Sequence, residues 1–310
     1  MFCSLLLAIA FHQGATLESI EQQASTASKL TDWNLAQRQK ETVSEQVLDF
    51  IDAGSAKTST DMRRLSNAYA LVASEFEKTR VVYELALSAR AIGETSHEGQ
   101  IAAEWDNLMF TMGRHQRLGT MKAPVGSSFA ASLKPEWTER AVSRVILDPA
   151  GARARAARYK DSALVKRIVD ADQADRNADW MKLTSAQIEA ISRRDRRRFA
   201  DIKRLVARGS VRTANDYYNA ALVFQHGSFF DEFRSAHELA LAGMLLGSKD
   251  AVWLCAASYD RMLMSAGFRQ RFDTQYDARG LKPFDTRGIC DGERTAMHCP
   301  TLEEAKSRVP

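Results

Sequence analysis

The chain has 310 residues, 45% of them hydrophobic and 26% charged, with a formal net charge of +4. That composition belongs to a folded chain with a sizeable core and excludes a disordered or collagen-like polymer. No window approaches the roughly 18–20 apolar residues a membrane-spanning helix needs.

The charge is unevenly spread. Residues 1–120 carry 11 basic and 15 acidic side chains, residues 121–220 carry 21 and 12, and residues 221–310 carry 11 and 12. The centre is therefore basic and the flanks are not.

The first ten residues, Met1 to Ala10, are apolar, and Ala8-Ile9-Ala10 resembles the small-x-small end of a signal peptide. Against a leader over residues 1–15 stand the short run and the absence of any Lys or Arg before it. With a leader the protein is periplasmic or secreted; without one, the segment is an N-terminal helix and the protein is cytoplasmic. Residues 17–52 read as one or two Gln-rich helices ending at Ala53-Gly54. Thr60-Asp61 reads as the start of a helix reaching about Ser74. Helices over Glu75–Ile92 and Glu98–Met112 follow, stopped by Gly93 and Gly113, since glycine past a helix end suits the left-handed cap.

Pro124, Gly126, Ser127, Ser128 and Pro135 mark a linker over 122–150, with a short helix from Trp137 to Ile146 and a turn at Asp148–Gly151. Residues 152–208 read as two or three basic helices. Asn215-Asp216 then opens a helix broken at His226-Gly227-Ser228. Helices over Phe230–Leu246 and Ala251–Ala266 stop at Gly247 and Gly267. The tail from Arg279 is loop-rich and closes with a helix over Leu302–Ser307.

This punctuation recurs because the sequence does. Residues 67–120 align on 221–274 without a gap, and 15 of the 54 pairs are identical. They include Phe76/Phe230, Arg80/Arg234, Glu84-Leu85-Ala86-Leu87 on Glu238-Leu239-Ala240-Leu241, Asp106/Asp260, Gln116-Arg117/Gln270-Arg271 and Thr120/Thr274. The expected fold is all-α: two helical-repeat modules, of α-hairpin or solenoid type, over 16–121 and 151–310, joined by a basic helical segment.

Asp260 falls on the apolar stripe of its helix, where a carboxylate needs partners. Gln270 to Thr274 follow at loop distance, and Asp106, Gln116 and Thr120 repeat the pattern. A feature common to both copies reads more simply as a loop clamp than as a catalytic group. The second copy adds polar groups of its own: Val72 becomes His226, Tyr83 becomes His237, Asn107 becomes Arg261 and Met121 becomes Gln275. His226 is a candidate acid or base and Arg261 a candidate two-point anion clamp. With Asp260 they form a candidate catalytic set, with Gln225, Gln270, Thr274 and Gln275 as candidate binding residues. The competing reading is a buried hydrogen-bond network that fixes helix packing.

Asp172, Gln173 and Arg176 share a helix, and Asp172/Arg176 is an i, i+4 pair with either a docking role or a solvated one. Arg193, Arg194, Arg196, Arg197 and Arg198 surround Asp195, with Lys203, Arg204 and Arg208 beyond. Such a stripe could hold a polyanion, but no aromatic platform or nucleic-acid motif accompanies it, so a solvated face is favoured. Cys255 reads as a core residue. Cys290 and Cys299 could close a small disulfide loop in an oxidising compartment. With His298 they make a poor metal set. No sequence motif for a cofactor, phosphate loop or metal is present.

The ordered set Asp172-Gln173-x-x-Arg176, Gln225-His226, Asp260-Arg261-x-Leu263, Gly267, Gln270, Thr274-Gln275, Asp291-x-x-Arg294 and Pro300-x-Leu302 resembles a bacterial domain family of unknown function, number 6624. The match covers about 160–305, with a degenerate copy at about 55–121. The family's Gly-Thr-Gln is Asp273-Thr274-Gln275 here, and Gly119-Thr120-Met121 in the first copy. The resemblance implies boundaries and site residues rather than a reaction. The sequence thus leads to a binding or interaction module of the bacterial envelope, with a protein or small anion as partner. A hydrolase-like enzyme built on the His/Asp/Arg/Gln set is the alternative, and polyanion binding a weaker one.

Overall fold

The computed structural model describes residues 15–96, 98–122 and 140–308. Over these residues the chain is all-α, with a single two-stranded hairpin. The leader expectation and most of the linker fall outside the described residues.

The helices are α1 (Leu17–Lys29), α2 (Trp33–Asp52), α3 (Ser59–Ala70), α4 (Phe76–Ala91), α5 (Glu98–Thr111), α6 (Arg140–Leu147), α7 (Pro149–Ala156), α8 (Ala163–Arg176), α9 (Ser185–Ala207), α10 (Ala214–Gln225), α11 (Phe230–Leu245), α12 (Asp250–Ser265), α13 (Asp291–Ala296) and α14 (Leu302–Ser307). Between α12 and α13, β1 (Tyr276–Asp277) pairs antiparallel with β2 (Gly280–Leu281). Helix starts follow the capping rule that a short polar side chain accepts from the first free N–H groups. Thr58 and Asp61 close a capping box on α3, Thr213 and Asp216 one on α10, and Thr184 and Gln187 one on α9. The α3 cap thus falls at Thr58, two residues before the expected Thr60. Within the expected linker, the described part of the short helix runs over Arg140–Leu147, and the expected turn at Asp148–Gly151 is the start of α7, because Asp148 caps it by accepting from Gly151 N–H and Pro149 sits where a missing N–H costs nothing.

The chain forms two compact units, and neither follows the expected boundaries. One comprises the residues up to Glu94 together with Thr286–Ala296; the other comprises Thr95–Asp285 and the residues from Met297. The first copy of the repeat is therefore divided, with α3 and α4 in the first unit and α5 in the second.

Ion pairs explain the division. In the first unit Arg287 reaches Glu45 (2.8 Å), Asp49 (3.1 Å) and Asp52 (2.6 Å), and Gly288 N–H donates to Asp52 (2.8 Å), so the 286–296 segment is held on α2. Ile20, Val47, Ile51, Met62, Leu65 and Tyr69 form the core beneath. In the second unit, Glu98 of α5 takes a two-point contact from Arg153 (2.8 Å to each oxygen), and Glu238 accepts from Trp105 Nε1 (3.3 Å) and Arg117 Nε (2.8 Å). A buried carboxylate with these partners ties α5 to α11.

Candidate functional site

The duplicated corner comes first, because it positions everything else. Asp260 is fully buried on α12. Its Oδ1 accepts from the backbone N–H of Arg271 (2.8 Å) and Phe272 (3.0 Å), and its Oδ2 from Thr274 N–H (3.2 Å) and Thr274 Oγ1–H (2.7 Å). Asp106 repeats the set with Arg117 N–H (2.5 Å), Leu118 N–H (2.7 Å), Thr120 N–H (2.8 Å) and Thr120 Oγ1–H (2.7 Å). Gln270 Oε1 accepts from Gln275 N–H (2.8 Å) and Gln116 Oε1 from Met121 N–H (2.9 Å). Gly119 (φ 73°) and Asp273 (φ 58°) both take the left-handed conformation at the equivalent turn. An Asp there tolerates what glycine adopts freely.

This geometry moves three candidates. Asp260, Gln270 and Thr274 spend their polar atoms on the corner, and Asp260 has no place in proton transfer to a ligand. Burial pushes its carboxyl up to about 6, and the four donors oppose that rise.

The other candidates converge around Asp172 and Arg261. Asp172, fully buried on α8, accepts at Oδ2 from His226 Nδ1–H (2.7 Å) and Gln173 Nε2–H (3.0 Å), and at Oδ1 from Arg176 (3.3 Å). His226 caps α10, and its side chain is 22% exposed. Its Nε2 has no hydrogen-bond partner among the described residues. Arg261 donates from Nε to Gln275 Oε1 (2.8 Å) and from Nη1 to the main-chain oxygen of Gln225, and its guanidinium lies 5.8 Å from the Phe233 ring centroid. Burial first, and the nearby charge of Arg176 second, push the Arg261 guanidinium below its ordinary value. Gln275 joins the two clusters, because its Nε2 also donates to Ala257 O (3.3 Å) and Thr274 Oγ1 (2.8 Å).

Residues not expected in the site complete it. Arg176 and Arg198 both contact Asp195 (2.7 and 2.9 Å), and Arg198 and Arg194 both contact Asp175 (2.5 and 2.7 Å). Arg194 and then Arg198 hold the Asp175 carboxyl down at about 2. The signal in the sequence was Asp195, a lone acid inside an arginine run. Of the basic stripe, Arg193, Arg194, Arg198 and Arg204 are therefore paired with carboxylates. Glu232 was also missed. Its Oε2 accepts from Ser228 N–H (2.6 Å) and Phe229 N–H (3.2 Å), and a Cβ on Gly227 would lie 2.5 Å from Glu232 Cβ. Only glycine fits after His226, and Glu232 fixes the loop that follows it.

Cys290 and Cys299 are buried and do not form a disulfide. Cys290 is packed into the first unit near Ala56 O (4.0 Å), and Cys299 Sγ donates to Met297 O (3.4 Å) within the second. Among the described residues, no group of three or more His, Cys, Asp or Glu side chains is placed to hold a metal. None of their helices is long and apolar enough to cross a membrane. Asp291 and Arg294 pair with each other (3.3 Å) in the first unit, whereas His226 and Arg261 belong to the second.

Compared with known proteins, the chain matches no family model, no curated protein and no solved structure.

Proposed function

We propose that the second unit binds a small oxyanion between Arg261, Arg176 and His226, and that the Asp172–His226 pair moves a proton to or from it. The observation that carries this reading is Arg261. It is a largely buried cation whose hydrogen-bond acceptors, Gln275 Oε1 and Gln225 O, are both neutral, and among the described residues no carboxylate pairs with it. Buried charge is normally paired, and a second cation beside it raises the cost of leaving it alone. An anion from solution relieves both.

The acid–base part rests on the buried Asp172 carboxylate. It holds the His226 ring by Nδ1 and leaves Nε2 as the proton-carrying edge, the arrangement general acid–base chemistry uses. This favours a hydrolase-like reaction on an anionic substrate over a passive envelope module. The kinship with family 6624 belongs to the same reading. Its support is that Asp172, Gln173 and Arg176, some 50 residues before Gln225-His226, meet them and Arg261 in one cluster.

The test compares wild type with Arg261→Met in thermal unfolding with inorganic phosphate, against sodium chloride of equal ionic strength. Phosphate at about a hundred times its Kd should stabilise the wild type by about 2.7 kcal/mol, and the variant not at all. Equal shifts in both proteins, or in phosphate and chloride, would sink the proposal. Arg261→Met should still fold, because it leaves only neutral acceptors behind.

A further inference from the structure

Gln225, named in the sequence as a binding candidate, has one feature the oxyanion reading leaves unexplained. It is the last residue of α10 and only 5% exposed, yet its side-chain Oε1 is buried with no donor reaching it among the described residues. Its main-chain oxygen accepts from Arg261 Nη1, so the residue that carries this amide borders the guanidinium. The first copy has Leu71 at the matching position, so an amide is not what the helix end requires. Buried carbonyl oxygens are nearly always hydrogen-bonded, and this one lacks a donor that a ligand held by Arg261 can supply.

We infer that Gln225 makes the site selective for an oxyanion that carries a proton, with hydrogen phosphate the simplest member and sulfate excluded. This rests on the oxyanion reading above. The arginines supply charge and donors to the bare oxygens, and neither distinguishes two dianions of like shape. The Gln225 carbonyl does. It accepts from a P–OH group, whereas sulfate sets a lone pair against it, and sites built around a hydrogen bond reject analogues that lack the donor. No bond is made or broken in this recognition; one proton is shared between the ligand hydroxyl and the amide oxygen.

Three probes of equal charge test it. At about pH 8, hydrogen phosphate, sulfate and methyl phosphate are all dianions, and only the first retains a proton. Isothermal titration of the full-length wild type should show hydrogen phosphate binding at least about tenfold tighter than the other two, a difference of about 1.4 kcal/mol. In Gln225→Leu, which installs the first-copy residue, the three should bind within about twofold of one another, hydrogen phosphate more weakly than to the wild type and sulfate no more weakly. Equal affinity for all three in the wild type would overturn the selectivity and leave the oxyanion site standing. So would a preference for phosphate that survives in Gln225→Leu. Failure of the wild type to bind any of the three would overturn the oxyanion site and the selectivity together. The methyl phosphate arm needs no variant, so the inference can fail even if Gln225→Leu does not fold.

Discussion

Removing the Asp260 carboxylate should cost more stability than removing any group in the cluster around His226. The magnitude comes from what the carboxylate holds. Asp260→Ala strips the acceptors from three backbone N–H groups, those of Arg271, Phe272 and Thr274, and from the Thr274 hydroxyl. Arg271 and Phe272 are fully buried, so water cannot replace the lost acceptor there, while Thr274 is half-buried and can be partly rehydrated. Each buried donor left without a partner costs about 1–3 kcal/mol, and the total is about 3–6 kcal/mol. A domain of this class has only about 5–15 kcal/mol in all, so the midpoint of thermal unfolding should fall by on the order of 10 °C. Asp106→Ala removes the same set from Arg117, Leu118 and Thr120 and should cost about as much. Urea unfolding at pH 7.5, above the value of about 6 to which burial raises the Asp260 carboxyl, measures the ionised form. Amide hydrogen exchange at residues 271, 272 and 274 reads the corner directly. A loss below about 1 kcal/mol in Asp260→Ala, with those amides still protected, would refute the assignment of Asp260 to the corner.

Two further outcomes follow from single residues. His237 is fully buried, its Nδ1 donates to Cys255 O (2.9 Å), and burial pushes its pKa down to about 4. A depressed histidine stabilises the fold fully above its unfolded value of about 6.5, and the gain is lost as pH falls toward 4. Over that window the loss approaches about 3 kcal/mol. His237→Tyr, the first-copy residue, should lose less stability than wild type between pH 7.5 and pH 4.5 in urea unfolding; parallel losses would refute the argument. At Asp273 (φ 58°) glycine should be tolerated better than alanine by about 1 kcal/mol, since both remove the carboxylate and only glycine takes that φ freely. Equal midpoints for Asp273→Gly and Asp273→Ala would refute the strain.

What the sequence makes legible is whatever repeats locally. Gly93, Gly113, Gly247 and Gly267 end their helices within a residue or two of the expected places, and the helix at Leu302–Ser307 is observed as expected. The Asp–Gln–Thr corner is legible because it is written twice over a short span. Contacts between distant segments are not. No local pattern in the sequence ties Asp172 to His226, because 54 residues separate them and an i, i+4 pair with Arg176 explains Asp172 equally well. The same blindness hides Arg198. Within a run of arginines only the helix phase decides which one turns inward, and the apolar residues that set it, Ile191, Ile202 and Val206, lie outside the run. The unit boundaries fail for a related reason. Arg287 lies in a loop-rich tail, and its partners Glu45, Asp49 and Asp52 come some 240 residues earlier.

The duplication explains why charge can be concentrated in one place. A carboxylate corner is a costly device to bury, and it is complete in both copies without His226, Arg261 or Gln225, since Asp106 is satisfied while Val72, Asn107 and Leu71 stand at those three positions. The added groups therefore do not support the corner; the corner supports them. Gln275 shows how. Its backbone N–H is held by Gln270 and its Nε2 by Thr274, so its Oε1 presents Arg261 with a fixed acceptor, a role that Met121 could not fill in the first copy. An arginine fixed by neutral acceptors keeps its full charge for something else. Had packing alone been at stake, a carboxylate at 275 would have held Arg261 more strongly than an amide does. The use of glutamine at that position leaves Arg261 without a carboxylate partner among the described residues, which is the condition the proposed oxyanion site requires.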